Sequence, residues 1–150
     1  MISLTHKSAF RFRVHFDDFG TGDGQLTGQV MRVTRPSVKF HEVYGLDEVS
    51  LRPIEIDLRD DVGDMTRSEV ITQVIKQIRD DAKFAVVIET LDAAEKVLEQ
   101  WRLNNCRIIE YHLDELVECK ADGLLIHLVI DCARLSVTLH GELVQMLSHR

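Results

Sequence analysis

Residues 83–116, KFAVVIETLDAAEKVLEQWRLNNCRIIEYHLDEL, decide the fold, because they hold two strongly apolar runs and the only tryptophan of the chain. The first run, FAVVIET at 84–90, is short and rich in β-branched residues, which predicts a buried strand. The second run, CRIIEY at 106–111, is also typical of a strand. Asn104-Asn105 precedes it and predicts a turn or bulge, because asparagine tolerates left-handed backbone angles.

The connection between these two runs supports two predictions. Apolar residues at helical spacing, together with good helix formers, favour a helix over residues 91–102. The alternation of Val97, Glu99 and Trp101 with their neighbours instead favours a strand that is entered from a turn at residues 92–95. Local propensity leans towards the helix, but the residues alone leave both connections open.

Upstream of this stretch, several short segments alternate between apolar and polar residues. The clearest is FRFRVHF, in which Phe10, Phe12, Val14 and Phe16 share one side, as in a half-buried strand. Further segments with strand character lie at 29–34, 38–44, 48–51 and 54–58. A turn signal at residues 45–47 makes the second and third of these the two arms of a hairpin.

Helical patterns occur at two places outside the central stretch. Thr66 and Glu69 form a capping box ahead of an apolar stripe, so we expect a flanking helix over about residues 66–80. Such a helix most simply covers the open face of a sheet. Downstream, LLIHLVI at 124–130 predicts the strongest strand of the chain, and residues 141–149 are expected to form a short terminal helix.

Length and composition limit the classes of function. The chain has 150 residues, 45% of them hydrophobic, which predicts one domain over 1–150. A net charge of −7 argues against a surface that grips nucleic acid, but not against one that nucleic acid passes without binding. The three cysteines form no CxxC pair and are expected to be reduced. No signal peptide and no apolar run near the ~20 residues that span a bilayer are present, so we expect no membrane partner.

Motifs of catalysis and metal binding are absent from the sequence. It contains no GxSxG, HExxH or GxGxxG. The acidic cluster at 57–64 does not fit the register of a calcium loop, and His127 has no second histidine or cysteine at ligand spacing. We therefore expect a protein that is not an enzyme, with no catalytic, cofactor-binding or metal-binding residues and no cofactor.

Four segments, taken in order, carry a resemblance to a known family. They are Pro-Ile-x-Ile at 53–56 followed by Asp60-Asp61, Ile-Glu-x-Leu-Asp at 88–92, Glu-x-Trp-x-Leu at 99–103 ending in Cys106-x-Ile108, and the late Ile/Leu-rich strand. In this order and spacing, over about residues 8–138, the chain resembles the tail tube protein family of contractile-tailed bacteriophages.

The resemblance implies a mainly β fold (α+β), in which two packed antiparallel sheets form a barrel-like sandwich with one flanking α-helix. It also implies that residues 91–101 form a hairpin. The function implied is that of a structural virion protein, whose hexameric rings stack into the hollow tail tube through which phage DNA is ejected. The implied partners are further copies of itself, the tail sheath protein, and the baseplate and tail-terminator proteins. The implied location is the virion, and the host cytoplasm during assembly.

Two sets of residues are candidates for roles in such a tube. The hairpin candidate at 38–51 has too little apolar surface to stand alone, so we expect it to pack on a neighbouring subunit. Its interface candidates are Val38, Phe40, Val43, Tyr44, Val49 and Leu51. Excess carboxylate would give a lumen that repels phosphate, so that DNA slides through without specific binding. The candidates for that acidic lining are Glu55, Asp57 and Glu110.

Other functions remain open at this stage. The same resemblance allows a tube initiator or adaptor protein at the baseplate or neck, or a tube ring of a secretion system. A small-molecule-binding β-barrel is an alternative of a different class, which the scarcity of aromatic residues weakens.

Overall fold

A computed structural model describes residues 11–19, 30–43, 46–60, 67–115 and 124–148 of the protein, and side chains within these ranges except those of 41–43, 46–48, 60, 67–70 and 124. Ten strands and one helix are described. In chain order they are β1 (Arg11–Asp17), β2 (Val30–Val33), β3 (Val38–Val43), β4 (Leu46–Leu51), β5 (Ile54–Asp60), α1 (Arg67–Arg79), β6 (Phe84–Leu91), β7 (Val97–Leu113), β8 (Leu124–Asp131), β9 (Arg134–Leu139) and β10 (Glu142–Ser148).

The long strand β7 belongs to two antiparallel sheets. Its first part pairs with β6 and β9, which gives sheet I the order β1-β6-β7-β9-β10. Its last part pairs with β8, which gives sheet II the order β7-β8-β5-β2. Strands β3 and β4 form a separate hairpin. The predicted mainly β fold of two antiparallel sheets with one helix is therefore confirmed.

One apolar core lies between the sheets and the helix, built from the alternating inward positions of the strands. Ile54, Ile56 and Leu58 of β5 are at most 1% exposed. They are joined by Val86 and Ile88 of β6. The remaining members include Phe16, Phe84, Leu103, Ile126, Leu128, Ile130 and Leu135. Side chains thus fill the space between the sheets.

The connection between β6 and β7 is a hairpin, as the family resemblance implies. Asp92 closes its turn, because one carboxylate oxygen accepts hydrogen bonds from the backbone N–H of Ala94 (2.8 Å) and of Lys96 (2.9 Å). Glu95 provides the left-handed residue of the turn, with a φ of 64°. The helix that local propensity favours over 91–102 is therefore wrong.

The bulge predicted at Asn104-Asn105 is also present. The pairing of β6 with β7 jumps from Val86↔Leu103 to Phe84↔Cys106, so two residues of β7 oppose one of β6. Asn105 has a φ of 52°, which asparagine tolerates better than most residues. The bulge lies between the half of β7 that belongs to sheet I and the half that belongs to sheet II.

Helix α1 occupies the predicted position, although Thr66 of the predicted capping box lies outside the described residues. Val74 is buried against the core, whereas Ile75 and Ile78 are 45% and 39% exposed. Gln77 is buried and donates a hydrogen bond to the Ala82 carbonyl oxygen at 2.8 Å, which ties the chain leaving α1 back to the helix. Within the described ranges no helix is long and apolar enough to cross a bilayer.

The end of the chain corrects one prediction. The expected helix at 141–149 is wrong, because residues Glu142–Ser148 form β10, paired with β9. His140 and Gly141, with φ of 49° and 82°, form the two-residue loop between Leu139 and Glu142. Two successive left-handed residues match the type I′ turn, whose twist suits a two-stranded hairpin.

Candidate functional site

The candidate site is a pair of surfaces. Within the described residues no group of three histidine, cysteine, aspartate or glutamate side chains is placed to hold a metal ion. The described residues among those proposed from the sequence lie instead on the outer face of sheet II and on the β3–β4 hairpin. Surfaces of this kind suit contact with large partners better than chemistry on a small substrate.

The three predicted lumen residues share the outer face of sheet II. Glu55 pairs in register with Val129, which pairs in turn with Glu110, so the two glutamates lie on one row across the sheet. Asp57 lies two residues along β5, and side chains two residues apart in a strand point to the same side. The structure thus brings all three carboxylates onto one face.

Asp57 occupies a different environment from the two glutamates. It is 7% exposed, and its carboxylate lies between the side chains of Arg32 and His127. Arg32 of β2 donates from Nε to Asp57 Oδ2 at 2.8 Å, and His127 Nδ1 lies 2.7 Å from Asp57 Oδ1. A second carboxylate, that of Asp114, holds the other side of the imidazole, with Oδ1 2.7 Å from His127 Nε2. The result is a continuous row Arg32–Asp57–His127–Asp114 over three strands and the end of β7.

The row shifts the protonation of its members. Burial by itself would raise the pKa of Asp57, but hydrogen bonds from Arg32 and His127 and the positive charges of both outweigh it, so this pKa lies below its ordinary value. The hydrogen bond to Asp114 raises the pKa of His127, and the contact with Asp57 adds to the rise, while burial opposes it. The row therefore favours a charged imidazolium between two carboxylates.

A second histidine lies against this row. His112 of β7 pairs in register with His127, and the two rings stack with centroids 4.6 Å apart and an interplanar angle of 21°. The sequence around His127 does not indicate its two aspartate partners. Only the strand register brings Asp57 opposite His127, and no spacing along the chain signals it.

The outer faces of the two sheets carry opposite charge excesses in the described part of the chain. Sheet II presents five carboxylates and three arginines, namely Glu55, Asp57, Glu110, Asp114, Asp131, Arg32, Arg59 and Arg107. Sheet I presents four arginines and two carboxylates, namely Arg11, Arg13, Arg102, Arg134, Asp17 and Glu89. The overall acidity of the protein is therefore not spread evenly, and the acidic face is the one that holds the lumen candidates.

The predicted hairpin exists, and its interface candidates divide into two groups. Val38, Val49 and Leu51 pack against the core of their own subunit. Phe40 pairs with Val49 on the same side of the hairpin but is 64% exposed. The side chain of Val43 and the whole of Tyr44 lie outside the described residues. Phe40 is thus the described member of the set that extends its apolar side chain beyond the subunit's own core.

Comparison with known proteins shows what the chain is similar to. No family model matches it, and no curated protein matches its sequence. Solved structures do match over nearly the whole chain. An Hcp protein has a TM-score of 0.66 at 6% identity, covering 93% of this chain and 99% of that one. A type six secretion system protein has a TM-score of 0.56 at 7% identity, covering 92% and 93%.

The anti-feeding prophage provides two further matches. A chain of its baseplate, in a 6-fold symmetrised structure, has a TM-score of 0.59 at 16% identity, covering 92% of this chain and 96% of that one. A chain of its tube terminating cap has a TM-score of 0.58 at 13% identity, covering 85% and 88%. The likeness is one of fold, and at that level it confirms the resemblance of this chain to the tube proteins of contractile tails.

Proposed function

We propose that this protein is the repeating subunit of a tube built from stacked hexameric rings. The observation that carries the proposal is the match of fold, because it covers 92% of this chain and 96% of a chain from the 6-fold symmetrised structure of a prophage baseplate. A match over nearly the whole of both chains supports a like role for the whole molecule better than a shared fragment would. The role is structural and needs no catalytic residue.

Ring closure requires two different complementary surfaces on each subunit. We propose the β3–β4 hairpin as one of them, with Phe40, Val43 and Tyr44 of the predicted set as its contact residues, because Val38, Val49 and Leu51 pack on the core of their own subunit. Support comes from Phe40, which is 64% exposed on the side of the hairpin that elsewhere packs on the core. Edge strands are a second source of contact, and in the described part of the chain β1 and β10 end sheet I.

Negative-stain electron microscopy across a concentration series tests both the tube and the hairpin. The protein is expected to form rings or hollow tubes of uniform width. Phe40→Ser should abolish or sharply reduce them without changing the folded subunit. Lys39→Ser is the matched control, because Lys39 is exposed on the opposite side of the same hairpin. A wild-type protein that stays monomeric at every concentration would remove the proposal, and equal assembly by both variants would remove the hairpin from it.

We further propose that the outer face of sheet II lines the channel. Its excess of carboxylates would repel phosphate and let DNA pass without binding. Glu55 and Glu110 would carry most of this repulsion, because Asp57 is already paired with Arg32 and His127. Asp57 would instead link β5 to β2 and β8 through these two contacts.

The channel proposal is tested by charge reversal. Tubes of Glu55→Lys or Glu110→Lys should retain labelled DNA at low salt and release it as salt rises, whereas wild-type tubes should not retain it. Glu142→Lys is the control, because it makes the same change of charge at an exposed position of β10 in sheet I. Equal retention by all three variants would show that net charge, and not this face, determines DNA binding.

The fold supports two kinds of assembly equally as the one to which this tube would belong. One is a phage-like contractile tail, with a sheath, baseplate and tail-terminator as partners, DNA as cargo, and the virion as location after assembly in the host cytoplasm. The other is a secretion-system tube ring, in line with the likeness to a type six secretion system protein. Purification from released particles, with or without packaged DNA, distinguishes them. An initiator or adaptor would assemble only on a template, whereas a major subunit polymerises alone.

A further inference from the structure

The two described cysteines lie side by side at the point where the sheets meet. Cys106 is in β7, and Cys132 lies between β8 and β9. On one side of them Arg107 pairs with Asp131, and on the other the Ala133 backbone N–H donates to the Asn104 carbonyl oxygen at 3.2 Å. These flanking contacts hold the two thiols against each other, with the Sγ atoms 2.7 Å apart and both sulfurs free.

Burial restricts what either thiol can react with. Cys106 is 0% exposed and Cys132 is 4% exposed, so neither sulfur can reach a cysteine of another subunit without local unfolding. Each has the other as its neighbour. Two thiols in contact need little backbone movement to form a disulfide.

A surface cleft lies beside the cysteine pair. Its volume is about 520 Å³, and Cys132 is one of the residues that line it. Its other lining residues are Lys83, Asn105, Arg107, Asp131 and Ala133. Lys83 and Arg107 give the cleft two positive charges against one carboxylate, which favours an anionic low-molecular-weight disulfide such as oxidised glutathione.

We propose that Cys106 and Cys132 are an oxidation site, at which an intramolecular disulfide forms when the protein meets an oxidising environment. The Cys132 sulfur, as thiolate, attacks the small disulfide, forms a mixed disulfide with it and releases one small thiol. The Cys106 thiol then gives up its proton, attacks the Cys132 sulfur and releases the second small thiol. The protein loses two hydrogens, and one small disulfide is reduced to two thiols.

The reaction is expected to be slow at neutral pH. Contact with the Cys106 thiol, burial and the nearby Asp131 carboxylate raise the pKa of the Cys132 thiol. The thiolate is the attacking species, so the rate of formation should increase with pH. Reduced protein can therefore fold and assemble first, and the bond would form during longer exposure to an oxidant.

The bond would fasten β7 to the β8–β9 connection. The two cysteines are 26 positions apart, and closing a loop of this size in the unfolded chain predicts a rise in Tm of about 5–15 °C for a domain of 150 residues. This rise in Tm would apply to each subunit, whether or not subunits are assembled.

Peptide mapping tests the proposal directly, because trypsin separates the three cysteines. Cys106 falls in the peptide 103–107, Cys119 in 108–120 and Cys132 in 121–134. Native protein is incubated with oxidised glutathione, quenched with iodoacetamide under denaturing conditions, and digested without reductant. We expect a cross-linked peptide that joins 103–107 to 121–134, a Tm rise reversed by reductant, and faster formation at pH 9 than at pH 7.

Two controls make the outcome decisive. Cys119→Ser should give the same cross-link and the same Tm rise, which shows that the third cysteine takes no part. Cys132→Ala should give neither. Native protein that keeps both thiols alkylatable, or that cross-links only through the peptide 108–120, would overturn the proposal. These readouts are independent of rings and tubes, so they neither require nor test the proposed function.

Discussion

His127 and its two aspartates should make the stability of the subunit depend on pH in a predictable direction. The perturbation is His127→Gln, which keeps a polar side chain of similar length but removes the titrating charge. His127 is 24% exposed at its side chain and lies 2.7 Å from both Asp57 and Asp114. Hydrogen bonds to charged groups contribute about 1.5–3 kcal/mol each, and glutamine retains part of that. We therefore expect the variant to be less stable by about 1–3 kcal/mol at pH 5.5.

The direction of the pH dependence of stability follows from the direction of the two pKa shifts. The pKa of His127 is raised in the folded protein, so its contribution is complete below the unfolded value of about 6.5 and is lost as the pH rises through the folded value. The pKa of Asp57 is lowered, so its contribution is complete above about 3.9 and is lost as the pH falls through the folded value. The difference in free energy of unfolding between wild type and variant should be largest near pH 5–6 and fall below about 1 kcal/mol by pH 9.

Urea unfolding at pH 5.5, 7 and 9, followed by the fluorescence of Trp101, measures this difference. Trp101 is the single tryptophan and is partly buried against the core, so its emission reports on the folded subunit. Equal midpoints at several protein concentrations exclude a contribution from assembly. His140→Gln is the control, because it makes the same change at an exposed position between β9 and β10, away from the row. A difference between wild type and His127→Gln that stays constant from pH 5.5 to pH 9 would refute the charged imidazolium.

Five further substitutions, at four positions, test the fold. Ile56→Ala removes a side chain that is 0% exposed and should cost about 2–5 kcal/mol in urea unfolding, whereas Met146→Ala, at 70% exposed, should change stability by less than about 0.5 kcal/mol. Asn105→Val places a β-branched residue at a φ of 52° and should cost about 1–3 kcal/mol, while Asn105→Gly should be close to neutral, as thermal unfolding would show. Gln77→Ala removes the hydrogen bond to the Ala82 carbonyl and should cost about 1–2 kcal/mol, with faster hydrogen exchange at the end of α1.

The β6–β7 hairpin shows where local patterns are insufficient. Residues 91–102 contain good helix formers at helical spacing, and propensity differences of a few tenths of a kcal/mol per residue favour the helix. The strand is nevertheless formed, because residues 97–104 pair with β6 on one side and β9 on the other. Those pairings are tertiary, and no window of the sequence contains them. Asp92, which closes the turn, is the local signal that agrees with the observed structure.

The end of the chain was mispredicted for a related reason. Apolar residues at 143, 144, 146 and 147 fit a helix as well as a bulged strand, and β10 does carry a register shift between Leu143 and Gln145. A bulge disturbs the alternation that identifies a strand. The informative signal is Gly141, because the type I′ turn needs a positive φ at both central positions and glycine adopts it freely.

The candidate surfaces were predictable in part. Alternation along β5 places Glu55 and Asp57 on one side, and this much follows from sequence. The position of Glu110 on the same face depends on the register of four strands. The same register brings His127 and Arg32 to Asp57, whose charge they neutralise. A slip of one residue in any of these pairings would move the carboxylates to the core side. Register is set by the whole core, so the face could be assembled only from the structure.

The bulge in β7 explains how one stretch organises both surfaces. Before Asn105 the strand pairs with β6 and β9, and after Cys106 it pairs with β8, so the sheets share one continuous backbone. Two sheets joined through a single strand hold their outer faces in a fixed mutual orientation, without relying on side-chain packing alone. A ring subunit needs such rigidity, because a small change of angle between its contact surfaces would be repeated at every interface and would prevent closure. The same junction holds Cys106 against Cys132, and a covalent bond there would fix the angle on which the proposed ring closure depends.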